Sequence, residues 1–185
     1  MEEVKPKVAA FGYTQVKVPK DNVIPIEKYH VHEDYIRDFE QSAVNGRDIA
    51  VIKLAAHITD VKVPLVSLSI LLTGRPMYGE TVVIVGYGKD SYRNEEVGIL
   101  KSGRMKLIEC QGKKLSFGEP LCLLTDHKYE MQRNDGRDSG GPAVIYEKGE
   151  YIGIGVASGY YDGHDGSAVS IYSSVAQNAK FIQQY

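Results

Sequence analysis

The string Asp138-Ser139-Gly140-Gly141-Pro142, entered through Gly136-Arg137, holds the residue types that nucleophilic acyl transfer needs. A serine beside glycines can sit on a tight turn with its hydroxyl exposed and its backbone N–H turned toward the oxygen of a reacting carbonyl. Ser and Gly clusters are also ordinary loop chemistry, and a bare Ser-Gly-Gly would say no more than turn. The whole five-residue string is expected by chance in on the order of one chain in 10⁴ of this length, which lifts it above every other local pattern. Upstream, Asp48 opens the apolar run Ile49-Ala50-Val51-Ile52. Alone, an aspartate in that place reads as a strand boundary. With Ser139 lying 91 positions downstream, it becomes a candidate for the carboxylate that orients a catalytic base.

A serine hydroxyl is a weak nucleophile at neutral pH and needs an adjacent base. Five histidines are available. His57, in Ala55-Ala56-His57, follows Asp48 by nine residues, and an extended run of that length carries it roughly 30 Å away unless the chain folds back. His30 and His32 share one strand face, where they could pair on a metal. His127 falls in the loop before Ser139. His164 lies in Asp162-Gly163-His164-Asp165-Gly166, most simply a turn; calcium binding by that acidic loop has no further support. Zinc takes about four ligands, and Cys110 and Cys122 form no CxxC pair to supply them. No metal and no cofactor is expected.

Short stretches rich in Val, Ile and Tyr must position these groups: Val8 to Gly12, Val23 to His32, Ile49 to Leu54, Thr81 to Gly86, Gly98 to Leu107, Pro142 to Tyr146, Tyr151 to Ala157 and Ser167 to Tyr172. Gly, Asp, Asn and Pro clusters separate them, as in an antiparallel sandwich or barrel. Glu147-Lys148-Gly149-Glu150 reads as a hairpin turn between two of them. From Ser174 to Gln184 the pattern changes: Val175, Ala179 and Ile182 recur at helical spacing, with Ser173 or Ser174 as N-cap. A C-terminal amphipathic helix is expected there. Ser69 to Gly79, with Gly74, Pro76 and Gly79, is the best connector between two halves.

The chain has 185 residues, with 22 basic and 24 acidic side chains and 43% hydrophobic residues. That is enough for one domain, or for two small barrels sharing an interface. A net charge of −2 excludes a nucleic-acid polycation. No apolar run approaches the roughly 18 residues of a membrane span. Met1 to Lys7 is charged and has no apolar h-region, so no secretory signal is read in this chain. No repeat of fixed period is present.

Taken together, these motifs resemble the chymotrypsin/trypsin family of serine proteases. Asp138-Ser139-Gly140-Gly141-Pro142 matches its nucleophile signature. Asp48-Ile49-Ala50-Val51-Ile52-Lys53-Leu54 is similar to the strand whose Asp orients the catalytic histidine. Val85-Gly86-Tyr87-Gly88 is similar to a V-x-G-W-G strand with Tyr for Trp, and Gly153 to Gly159 to the strand lining the substrate cleft. Val169 to Tyr172 with the terminal helix resembles the family's ending. The matches keep the family's order over residues 8 to 185.

The resemblance implies an all-β double barrel with a C-terminal helix: 1–70 a partial first barrel, 71–79 the connector, 80–172 the second barrel and 173–185 the helix. It implies Ser139 as nucleophile, Asp48 as histidine-orienting acid and the N–H groups at Arg137 and Ser139 as oxyanion donors. Arg133, Ser158 and Tyr160 would line the substrate pocket, with Arg133 at its base; a cation there repels basic side chains. Cys110 and Cys122 match the spacing of one family disulfide, with two buried free thiols as the alternative.

The family's T-A-A-H-C histidine motif is absent, and the chain begins just downstream of where it would stand. Arg137 replaces a glycine of the oxyanion turn, and Asp138 is expected to lack the N-terminal amine that its counterparts pair with. The expected function is that of a trypsin-like serine endopeptidase family member whose present chain lacks the general base and is inactive alone. The alternative is a non-catalytic homologue that binds proteins. Partners are protein or peptide substrates, or a protein partner if the chain is inactive, with no nucleic acid and no membrane. An extracellular location follows from the resemblance alone.

Overall fold

A computed structural model describes residues 6–15, 20–35, 46–59, 66–68, 78–88, 98–110, 120–125, 136–162 and 167–185. The first half folds as a three-stranded antiparallel sheet, in the order β1 (Val8–Ala10), β2 (Val23–Val31) and β3 (Ala50–Leu54). Its strands alternate imperfectly. Ile24 and Ile49 are buried, while Val8, Val31 and Ile52 stand about half exposed.

The second half supplies a larger sheet from β4 (Ser67–Leu68), β5 (Thr81–Gly86), β6 (Lys101–Ile108), β7 (Leu121–Thr125), β8 (Pro142–Glu147), β9 (Glu150–Asp162) and β10 (Ala168–Ser174). Their order is β10-β7-β6-β5-β8-β9-β4, and a further β10–β9 pairing closes β5 to β10 into a six-stranded barrel. Strand β9 makes closure possible through its length of 13 residues: its first part pairs with β8 and its last part with β10. β4 adds to β9 in parallel.

Period-two alternation fills the barrel. Val82 and Ile84, Met105 and Leu107, Leu123, Ala143, Ile145, Ile154, Ala157 and Tyr172 form one buried cluster. At roughly 1.5–3 kcal/mol for each large apolar side chain, this cluster is the main source of the barrel's stability. Cys110 and Cys122 are joined as a disulfide, so the free-thiol alternative falls. The loop it closes spans 12 positions, worth about 3 kcal/mol through loss of unfolded-state entropy.

Thr81–Gly86 forms a strand as expected, and Glu147-Lys148-Gly149-Glu150 is a two-residue hairpin with positive φ at Lys148 and Gly149. Strands β4 and β7 were not anticipated; Leu121-Cys122-Leu123-Leu124 has neither alternation nor a β-branched run to announce it. The expected helix is much shorter, with only α1 (Ala179–Ile182) helical. Ser174 does cap a turn, its Oγ accepting the Gln177 N–H at 3.3 Å, but five residues before the helix begins. Ser173 spends its hydroxyl elsewhere. Asn178, at the helix N-cap, makes no capping bond: its Oδ1 accepts Arg47 Nη1, and its Nδ2 donates to Gly46 O and, within the segment, to Ser174 O. The expected connector 71–79 lies mostly outside the described residues.

Candidate active site

The Ser139 turn is built from three backbone bonds. Gly141 N–H donates to Asp138 O at 2.8 Å, Gly140 N–H to Ala157 O at 2.9 Å, and Ala157 N–H to Gly141 O at 2.8 Å. The first closes the turn, and the other two tie it to β9. A β-carbon at Gly141 would lie 2.6 Å from the Val85 carbonyl, so the turn also packs against β5 with no room for a side chain. Ser139 itself is exposed. Arg137 takes φ = 77°, the left-handed region, although it has a β-carbon. The glycine-type backbone is kept at a strain of roughly 1–2 kcal/mol.

Asp138 takes a backbone donor in place of an N-terminal amine. Gly88 N–H donates to its Oδ1 at 2.8 Å. A β-carbon at Gly88 would lie 2.5 Å from the same oxygen, and one at Gly86 would collide with it. The Gly86-Tyr87-Gly88 segment is therefore a cradle for this carboxylate. Beneath it lies Tyr172, 2% exposed, whose hydroxyl is pushed well above its ordinary proton affinity by burial and then by the Asp138 charge.

Asp48 stands where a tight turn enters β3, with Ile49 N–H bonded to Arg47 O at 2.9 Å. Its main-chain carbonyl accepts the Ser173 hydroxyl at 2.9 Å and its Oδ2 accepts the Ser158 hydroxyl at 2.7 Å. Arg47 Nη1 donates to Asn178 Oδ1 at 3.0 Å and to Gln177 O at 3.3 Å. Asn178 Nδ2 returns bonds to Gly46 O at 2.9 Å and Ser174 O at 2.7 Å. Ser158, Ser173 and Asn178 are all buried. Buried polar groups are tolerated when bonded, and each of these three is. The first sheet is thus fastened to β9, β10 and the C-terminal segment through one polar seam.

The two halves of the site meet on β9. Gly140, beside Ser139, bonds to Ala157, and Asp48 bonds to Ser158, the next residue. Consecutive Cα atoms are about 3.8 Å apart, so the Ser139 turn and the Asp48 carboxylate are brought to one stretch of one strand. Tyr160, two residues on, is 40% exposed and pairs with Ser170 of β10. Arg133, His127 and His164 lie outside the described residues. Ser158 was expected in a substrate pocket; it is 4% exposed, with its hydroxyl on Asp48. Neither that bond nor the contribution of Ser173 and Asn178 was read from the sequence. Two serines 15 positions apart on different strands carry no local signal.

Two of the described histidines, His30 and His32, are engaged by the C-terminal segment. His30 stacks on Tyr185 at 3.6 Å between ring centroids, and His32 lies against Phe181 at 4.7 Å. His32 Nδ1 accepts the Asp34 N–H at 3.1 Å. Burial, and then the Arg47 charge, hold the His32 proton affinity below the ordinary imidazole value, against the opposing pull of Asp34 and Glu33. His57 is exposed just beyond β3. Among the described residues, no group of three or more His, Cys, Asp or Glu is placed to hold a metal ion. No described helix is long and apolar enough to cross a membrane.

A family model described as Trypsin matches residues 3–182. No curated protein matches. Among solved structures, the fold is similar to that of the scabies mite inactivated protease paralogue S-I1, with a TM-score of 0.69 and 18% identity over 96% of this chain and 75% of that one.

Proposed function

The chain belongs to the trypsin family, and from that premise we propose that these 185 residues act as a non-hydrolytic protease homologue, binding protein or peptide segments along the cleft at Ser139 and β9. The observation that carries this reading is where the imidazoles of β2 and its exit are held: His30 is stacked on Tyr185 and His32 is packed at a tilt on Phe181, while Asp48 Oδ2 receives the Ser158 hydroxyl. Among the described residues neither His30 nor His32 is free to serve Ser139 as a base, and a serine hydroxyl without one is a poor nucleophile; removing the histidine of such a triad lowers kcat by on the order of 10⁶. The mite protein of similar fold is described as an inactivated protease paralogue, which favours the same reading. The family and the disulfide support an extracellular setting.

A fluorophosphonate probe tests it. The purified chain, shown by a cooperative circular dichroism melt to be folded, should remain unlabelled. It should bind members of a synthetic peptide array saturably, with affinity weakened by Tyr160→Ala. Stoichiometric labelling, abolished by Ser139→Ala, would overturn the non-hydrolytic reading.

A second reading is favoured by one observation: the Ser139 turn keeps φ = 77° at Arg137 and has Asp138 seated on Gly88 N–H. In a longer product carrying a histidine between them, Ser139 would attack the scissile carbonyl and form an acyl-enzyme. Asp48 would orient the imidazolium, and the N–H groups of Arg137 and Ser139 would receive the oxyanion. That reading predicts labelling of the longer product and none of the present chain.

A further inference from the structure

Three contacts fasten the C-terminal segment to the first sheet. The rings of His30 and Tyr185 stack, those of His32 and Phe181 pack, and Arg47 bonds to Asn178 and Gln177. Phe181 and Tyr185 also meet edge to face at 5.6 Å, so the aromatic contacts form one continuous group. His32 is its only buried imidazole, 7% exposed. Its main-chain N–H holds Ile49 O at 3.1 Å, and Ile49 directly follows Asp48. The same residue therefore touches the C-terminal segment through its ring and the Asp48 turn through its backbone.

We propose that His32 is a proton-operated latch: neutral, it holds residues 178–185 against the first sheet and keeps the Arg47-Asp48 turn ordered; protonated, it releases both. The chemistry lies at Nδ1. That nitrogen accepts the Asp34 N–H, which assigns the neutral proton to Nε2. A second proton must go to Nδ1, where it displaces the Asp34 N–H and places a cation in an enclosed site.

The groups around the ring decide the outcome. Arg47, from the segment before β3, repels the new charge; Glu33 and Asp34, in the histidine's own segment, attract it. Phe181 of α1 covers one side. Asp34 Oδ2 is 4.0 Å from Nδ1 and its side chain is 63% exposed, so water screens most of its attraction. Burial and Arg47 prevail, in keeping with the lowered proton affinity. His30 is the lesser partner: it lies at the surface with Lys28 on its own strand and Lys53 on β3, and its stacking on Tyr185 follows the fate of the segment.

The regulatory meaning, peptide release from the cleft in acid, rests on the binding reading above; the latch itself does not. Hydrogen exchange of the full chain between pH 7.5 and 5.0, corrected for intrinsic rates, tests it. Protection of the Ile49 amide and of the amides at 182–185 should fall as pH drops below 6.5, by at most about tenfold per pH unit, and level off once the pH passes the lower folded value, while β5 to β10 stay protected. An NMR titration of the His32 ring should give the same midpoint. His32→Phe keeps the packing on Phe181 and cannot titrate, so its protection should not depend on pH; His30→Phe should retain the transition. Unchanged protection in the unsubstituted chain overturns the latch, as does loss shared with the barrel strands or loss persisting in His32→Phe. Should His32→Phe fail to fold, a ring midpoint that differs from the exchange midpoint is decisive against it. A chain that binds no peptide at any pH sinks the functional reading and leaves the exchange result standing.

Discussion

Ser158 donates its hydroxyl to the Asp48 carboxylate at 2.7 Å across 110 positions of chain. The bond joins the first sheet to the strand that also anchors the Ser139 turn, and the donor is buried while the acceptor is half-buried. Hydrogen bonds to charged groups contribute about 1.5–3 kcal/mol. Ser158→Ala should therefore destabilise the chain by about 1.5–2 kcal/mol in urea unfolding. A change below about 0.5 kcal/mol would mean that water replaces the hydroxyl and that the seam does not depend on it.

Gly88 is small because the Asp138 carboxylate fills the space a β-carbon would need. Gly88→Ala should cost about 1–3 kcal/mol and lower the urea midpoint. Gly136→Ala, where a β-carbon meets nothing within 4 Å, is the matched control and should stay within about 0.5 kcal/mol of the parent chain.

Arg137→Gly should stabilise. Relief of left-handed strain is worth roughly 1–2 kcal/mol, and glycine's greater unfolded-state freedom takes back about 0.5–1 kcal/mol. A net gain of about 0.5–1 kcal/mol in urea unfolding is expected. A loss would show that the arginine side chain makes a stabilising contact stronger than the strain.

Stability should fall at both ends of the pH scale, for opposite reasons. His32 is harder to protonate folded than unfolded, so the unfolded chain binds more protons just below the ordinary imidazole value of 6.5. Its contribution is complete above that pH and declines as pH falls toward the lower folded value. Tyr172 is harder to ionise folded than unfolded, so its contribution is complete below the ordinary phenol value of 10.0 and declines as pH rises beyond it. Urea midpoints measured from pH 5 to 11 should trace both limbs, and Tyr172→Phe should flatten the alkaline one.

Much of the fold could be read from short periodicity. Thr81–Gly86 and the hairpin at Lys148-Gly149 announce themselves through alternation and turn chemistry, which act between near neighbours. Strand β7 does not, because its residues are buried or half-buried on both faces, so no polar position alternates with the apolar ones. The helix was overestimated because Val175, Ala179 and Ile182 have helical spacing whether or not Asn178 is free to cap. Asn178 is engaged by Gly46 and Arg47, residues more than 130 positions away.

By itself the sequence determined the chemistry on offer: a serine among glycines, an aspartate opening a strand, two cysteines, and no histidine in the usual motif. Those are properties of residue type and local spacing. Tertiary structure decided their company: Ser158 on Asp48, Gly88 under Asp138, His32 against Phe181, and the meeting of both site halves at Ala157 and Ser158. Hydroxyls, amides and rings of these kinds bond equally well to many partners. Only the closing of the barrel on β9, and the docking of the first sheet against it, selected among them.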